Sequence, residues 1–309
     1  MGPVEIHTLD LEFFRRGTIA AYLVESDGHL ALVETGPDST WPRLVAALAK
    51  HGARPSDVKD VLVTHIHLDH AGAAWRLARA GANVWVHPRG APHMADPSKL
   101  LASAQRIYKE QMETLWGTLE PIPADRLKIT SDGLDIPVGS ARVRVIETPG
   151  HAIHHNAYLL DGNVFTGDVG GVAIGDGPNL PPTPPPDIDL PTWTRSIGRI
   201  KAARPDTFYP THFGGHPDVP GRLDEMMEEL HAWAGFIRAR LEEGDDEPAI
   251  VPLFEAWLTE RLVEKGVDPA GLEAYRTALP FAMNVTGLVR YWKTIGAAAR
   301  RPPTFPPAA

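Results

Sequence analysis

The chain has 309 residues, a formal net charge of −9 and no cysteine. That length suits one large domain, or one domain with a smaller appendage. The missing cysteine excludes disulfides, thiolate nucleophiles and sulfur-ligated metal centres, and the acidic balance speaks against general nucleic-acid binding, which needs a basic face.

A first strand is expected over residues 3–10. Two apolar, β-rich runs, 18–25 and 29–34, are joined by Ser26-Asp27-Gly28, a hairpin signal. After a turn at 35–39, Ser39 or Thr40 can cap a helix that runs from Trp41 to about His51 and stops at Gly52. A strand over 58–63 leads into Thr64-His65-Ile66-His67-Leu68-Asp69-His70, and small residues then open a helix that ends near Ala80. Residues 83–87 read as a short strand. Residues 88–116 read as an insertion with helical character, chiefly over 99–115, long enough to be a lid or an oligomer contact. Strands follow at 127–130 and 141–147, the second ending in the tight turn Thr148-Pro149-Gly150-His151. A hairpin over 156–160 and 163–166 turns at Asp161-Gly162 and ends at Gly167-Asp168. A Gly/Pro-rich loop, 169–191, precedes a helix over about 192–203 and a short strand, 206–210, that delivers Thr211-His212.

From Pro220 onward only helical periodicity remains, at about 221–243, 250–265 and 269–297. The expected organisation is a catalytic domain over 1–220, a helical C-terminal region over 221–299 and a Pro-rich, disordered tail over 300–309. The longest apolar runs are strand-sized, so no membrane span is expected. The N-terminus has neither a basic-then-apolar leader nor a myristoylation pattern, and a cytoplasmic location is expected.

Chemistry concentrates at 64–70. Four metal-competent side chains lie within six residues, at the point where a strand gives way to a helix. If the segment is extended, His65 and His67 project to the same side, because side chains alternate along a strand. Asp69 and His70 sit at the chain reversal and can face a second point. His151, Asp168 and His212 each fall at the C-terminal end of an apolar strand, where sheets display chemistry on loops, and Glu34 is a weaker fourth candidate.

The pattern H-x-H-x-D-H, then a lone His, a lone Asp and a lone His, resembles the metallo-β-lactamase superfamily over about residues 4–215. The resemblance implies an αββα sandwich, two facing sheets with helices outside. It also implies two metal ions at one edge. His65, His67 and His151 would bind the first, Asp69, His70 and His212 the second, and Asp168 would bridge them. Zinc is the expected metal, with iron or manganese as alternatives. Asp69 would also orient the nucleophile and relay its proton. Glu34 stands where relatives often carry an aspartate that supports the metal loop. His154 and His155 are candidates for contacts behind the ligands or with substrate.

The layout, with its helical C-terminal part, resembles hydroxyacylglutathione hydrolases and lactonases. It therefore implies attack by a metal-bridging hydroxide on an ester, thioester or lactone carbonyl of a small molecule. Asn284, Arg290 and Tyr291 are the C-terminal residues expected to reach the pocket. Phosphodiester hydrolysis at the same binuclear site, of the phosphodiesterase or nuclease kind, is the alternative. A homo-oligomer is left open. The insertion at 88–120 and the Pro-rich loop at 176–191 are expected either to wall the pocket or to bury subunit surface.

Overall fold

Strand side chains point alternately to two different apolar layers, and this alternation sets the architecture. The computed structural model describes residues 4–299. Strands β1 (Glu5–Asp10), β2 (Ala20–Ser26), β3 (His29–Val33), β4 (Val58–Leu62), β5 (Asn83–Val86) and β6 (Leu127–Ile129) form one sheet in that order. β1 to β3 pair antiparallel and β3 to β6 parallel. The second half supplies β7 (Asp135–Val138), β8 (Ala141–Glu147), β9 (Asn156–Leu160), β10 (Asn163–Phe165), a small ribbon of β11 (Val172–Ala173) and β12 (Asn179–Leu180), and β13 (Thr207–Tyr209). Its five-stranded sheet has the order β13-β10-β9-β8-β7, with β10 and β13 parallel.

On β2, Ala20, Tyr22 and Val24 join Val143, Val145, Tyr158 and Phe165 of the second sheet in the layer between the sheets. Ala21 and Leu23 face the opposite way, into a cluster with Leu44 and Leu48 of α1 (Trp41–Lys50) and Leu77 of α3 (Ala74–Arg79), which follows the one-turn helix α2 (Leu68–Ala71). The outer face of the second sheet, with Ala157 and Val164, is covered by helices. The result is an αββα sandwich.

The insertion carries α4 (Ala91–Ala95), α5 (Ser98–Tyr108) and α6 (Met112–Trp116). The second sheet's helical cover is α7 (Leu190–Ala202), α8 (Val219–Glu242), α9 (Glu247–Glu264), α10 (Pro269–Ala278) and α11 (Phe281–Ala299). One hydrophobic cluster joins Val164 and Trp193 to Trp233, Phe254 and Leu288, on both sides of position 220.

The two sheets are tied together at one edge. Asn156 N donates to Thr64 O at 2.8 Å and Ala20 N to Thr211 O at 2.8 Å. The Tyr158 hydroxyl donates to Val63 O at 2.8 Å, and the Tyr22 hydroxyl to Pro210 O.

The hairpins at Asp27-Gly28 and Asp161-Gly162 occur where expected. Both residues of each pair have positive φ, the conformation that tight hairpin turns require. Strand β7 was not anticipated, because Pro137 interrupts its pattern; it is the edge strand, where a missing N–H is tolerated. Helices α7, α8 and α9 start two to three residues earlier than expected, since Pro191, Pro220 and Pro248 lie in their first turns rather than in loops. The expected helix over 269–297 is two helices, because Pro280 holds Leu279 extended (φ −139°, ψ 75°). The one over 99–115 breaks at Lys109, whose φ is +47°. The proposed tail at 300–309 lies outside the described residues.

Candidate metal centre

The sequence cluster leaves β4 as an extended segment and enters α2 at Leu68, with His67 in the extended conformation just before the helix (φ −62°, ψ 152°). His65 and His67 do point to one place. His65 Nε2 lies 2.9 Å and His151 Nε2 3.1 Å from His67 Nδ1. Asp168, at the end of β10, brings Oδ2 to 3.5 Å from His151 Nε2. Ligand-capable atoms of His65, His67, His151 and Asp168 all fall within 4.8 Å of one another, and so do those of Asp69, His70 and His212. The second group joins the first through Asp168, whose Oδ1 is 3.2 Å from His70 Nε2 and 3.7 Å from His212 Nε2. Asp69 Oδ2 stands 3.6 Å from His70 Nε2 and 3.5 Å from His212 Nε2.

The rings are aimed from behind. His65 Nδ1 meets Thr64 Oγ1 at 3.1 Å, His151 Nδ1 meets Pro182 O at 2.9 Å and His212 Nδ1 meets Thr18 O at 2.6 Å. At His151 and His212 the nitrogen bonded to a carbonyl must carry a proton, which leaves Nε2 to face the cluster. Glu34 leaves β3 with a left-handed φ of +65°. Its Oε1 accepts from Thr64 N at 3.1 Å, and Oε2 lies 3.6 Å from His70 Nδ1. His155 accepts from Val169 N at 3.3 Å and pairs with Thr148 Oγ1 at 2.9 Å, so it braces the turn that presents Asp168. That turn is pressed close: a Cβ on Gly167 (φ +51°) would meet Thr64 Oγ1 and, at 2.8 Å, His155 Nε2.

Burial and charge divide the two groups. His65 and His151 have depressed pKa values, and His67 falls to about 3, chiefly because burial penalises their charged forms. Burial would also lower His70 and His212, but the carboxylates of Asp168 and Asp69, with Glu34 at His70, outweigh it and raise both. Asp69, despite burial, is brought down to about 2 by His70 and His212, and Asp168 is held well below the usual carboxylate range. Both nitrogens of His70, Oδ1 of Asp168 and Oε2 of Glu34 are buried without a hydrogen-bond partner. Buried polar atoms rarely stay unpaired. Imidazoles and ionised carboxylates converging with unsatisfied atoms fit divalent cations.

The family model described as "Metallo-beta-lactamase superfamily" matches residues 15–212. The chain belongs to that superfamily. Among curated relatives it is similar to "Metallo-beta-lactamase fold-containing protein ST1585" of Sulfurisphaera tokodaii, 30% identical over 174 residues, 55% of this chain and 65% of the relative. It is also similar to "Atrochrysone carboxyl ACP thioesterase" of Aspergillus fumigatus, 27% identical over 216 residues, 69% of this chain and 41% of the relative. The matched region thus spans less than two thirds of either relative's length. Among solved structures, the metallo-beta-lactamase family protein TTHA1429 of Thermus thermophilus superposes with a TM-score of 0.67 at 23% identity, covering 94% of each chain. The structure of ST1585 gives 0.65 at 20% identity, covering 92% of this chain and 98% of that one. These likenesses show the fold.

As a member of the metallo-beta-lactamase superfamily, the chain brings all seven ligand candidates of the sequence together. His154 lies beside them, its ring 5.8 Å from that of His67 and its Nδ1 unpartnered; burial, with His67, His151 and His87, lowers its pKa to about 2. Arg290 and Tyr291 are not in either group: Arg290 Nε donates to Pro186 O at 3.1 Å, and Tyr291 packs edge-on against Trp292. A cavity of about 440 Å³ opens beside the Gly150–His151 turn, walled by Pro88 and Arg89 of the insertion and by Asp187 and Asp189 after the Pro-rich run.

Tyr108 was not anticipated. At the end of α5, it packs edge-on against Trp116, and its hydroxyl pKa is raised by burial and then by the charge of Asp69. Nothing in the sequence separates it from an ordinary helix residue. Thr64 could have been found, since it directly precedes the motif.

Proposed function

We propose that the two groups hold two divalent cations, zinc before iron or manganese, and that the chain hydrolyses a carboxylic ester, thioester or lactone. Asp168 carries this reading: a buried carboxylate with one oxygen towards each group, one of them without a hydrogen bond, is suited to be shared by two cations. His65, His67 and His151 would complete one donor set, and Asp69, His70 and His212 the other, a mixture that all three metals accept. Such ions, when bound, supply Lewis acidity and lower the pKa of water towards neutrality.

The chain's own groups do the rest. The Asp69 side chain is 23% exposed against 5% for Asp168, so Asp69 is the carboxylate that meets incoming water, orients it and relays its proton to the departing oxygen or sulfur. The rings held by Thr18 O and Pro182 O keep their geometry during turnover. The thioesterase named among the relatives, at 27% identity, supports the thioester member of the class.

The deciding experiment is a panel of esters, thioesters and lactones, with bis-p-nitrophenyl phosphate beside them, on metal-loaded protein. At least one carbonyl substrate should turn over well above a His67→Ala control. Equal rates for wild type and control across the carbonyl compounds would end this reading, and turnover of the phosphodiester alone would move the chain to the other class.

A further inference from the structure

Between the ribbon strand β12 and helix α7 runs Pro181-Pro182-Thr183-Pro184-Pro185-Pro186. Proline has no N–H, so Thr183 holds the only backbone donor in this run. That donor is spent on one residue: Thr183 N donates to Asn284 Oδ1 at 2.6 Å. The Thr183 hydroxyl lies 3.1 Å from the same oxygen and 3.2 Å from Asn284 O. Asn284 Nδ2 donates to Pro280 O at 3.0 Å, which fixes the carboxamide's orientation. Both residues are buried.

Two further positions on α11 complete the clasp at three-residue spacing, which keeps them on one face of the helix. At Gly287 a Cβ would meet Thr183 O and, at 2.8 Å, Pro184 C, so the helix backbone lies directly on the run. Arg290 Nε then holds Pro186 O at 3.1 Å. The residue preceding Thr183 is Pro182, whose carbonyl receives His151 Nδ1.

We infer that Asn284, with Gly287 and Arg290, is a positioning device: helix α11 sets the Pro182 carbonyl, and the carbonyl sets the tautomer and aim of His151. His151 belongs only to the group with His65 and His67, so the C-terminal helix tunes one of the two cation sites and leaves the other alone. This rests on the two-cation reading above. Three residues that a sequence reader would send to the substrate pocket or leave as plain helix thus act on the centre through a proline-rich strap.

The test uses the full chain, stripped of metal and titrated with Zn²⁺ against a competing chelator, so that two binding steps are read separately. Asn284→Ala should weaken one step by about tenfold or more and leave the other unchanged, as expected when a group behind a metal ligand is lost. In a His70→Ala background, where only the His151 group remains intact, Asn284→Ala should still weaken the remaining step. Thr286→Val is the control: on the same helix as Asn284, it removes the bond from Thr286 to Glu247 of α9 without touching the strap and should move neither step. If Asn284→Ala does not fold, the exposed Arg290→Ala replaces it, with about a threefold loss at the same step.

Both steps unchanged in these variants, or both weakened equally, would overturn the inference while leaving the two-cation reading intact. A wild-type chain that binds no zinc would sink both.

Discussion

The two halves of the centre are built from the same residue types, yet they stand in opposite electrostatic states. The half with His65, His67 and His151 sets three imidazoles against one carboxylate, and burial keeps the rings neutral. The half with His70 and His212 is surrounded by Asp69, Asp168 and Glu34, and its rings are drawn towards the protonated form. One half is therefore a ready receptor for a cation. In the other the carboxylates favour a proton on each ring, and a cation must compete with it. Ligand identity alone does not tell these apart; the count of carboxylates behind the rings does.

The largest effect tests what the halves share. Asp168→Ala should cost both cations and lower turnover on the order of a thousandfold or more, measured by elemental analysis beside the rate. Loss of one ion only would show that the halves are independent.

The next test addresses their difference. In His67→Ala, which spares the proton-rich half, cation affinity should fall by about tenfold per pH unit and per proton as pH drops below the raised pKa values of His70 and His212, with protons released on binding. In His70→Ala, which spares the other half, affinity should depend less steeply on pH, because burial already holds those rings below their ordinary pKa. Equal slopes in the two variants would erase the distinction.

The smallest effect concerns stability of the metal-free chain. His154 has a folded pKa of about 2 against an ordinary 6.5, so below about pH 6.5 the unfolded chain takes up a proton that the folded one refuses. Its contribution is fully present above that pH and is lost as pH falls towards 2, by up to about 1.4 kcal/mol per unit. His154→Asn should flatten the acid limb of a denaturation series; an unaltered limb would mean the ring is protonated in the fold.

Much of this was legible in the chain itself. The H-x-H-x-D-H segment, the three single ligand candidates at strand ends and both hairpins are local patterns, and each is where its residues placed it. What could not be read depends on packing between distant segments. Thr18 O and Pro182 O are backbone atoms without a sequence signature, and they orient His212 and His151 only because remote loops arrive there. Asn284 reads from the sequence as a pocket residue, and its actual partner, Thr183, is 101 positions away. Prolines mislead in a regular way: left outside the expected elements, they prove to be helix starts at 191, 220 and 248 and an edge-strand residue at 137.

The bonds that join Thr64 to Asn156, Val63 to Tyr158 and Ala20 to Thr211 bind the sandwich along one margin, like the spine of a book. The metal-ligand candidates are set into that spine, some from each cover. Those bonds resist movement of the covers against each other at the place where the imidazoles meet.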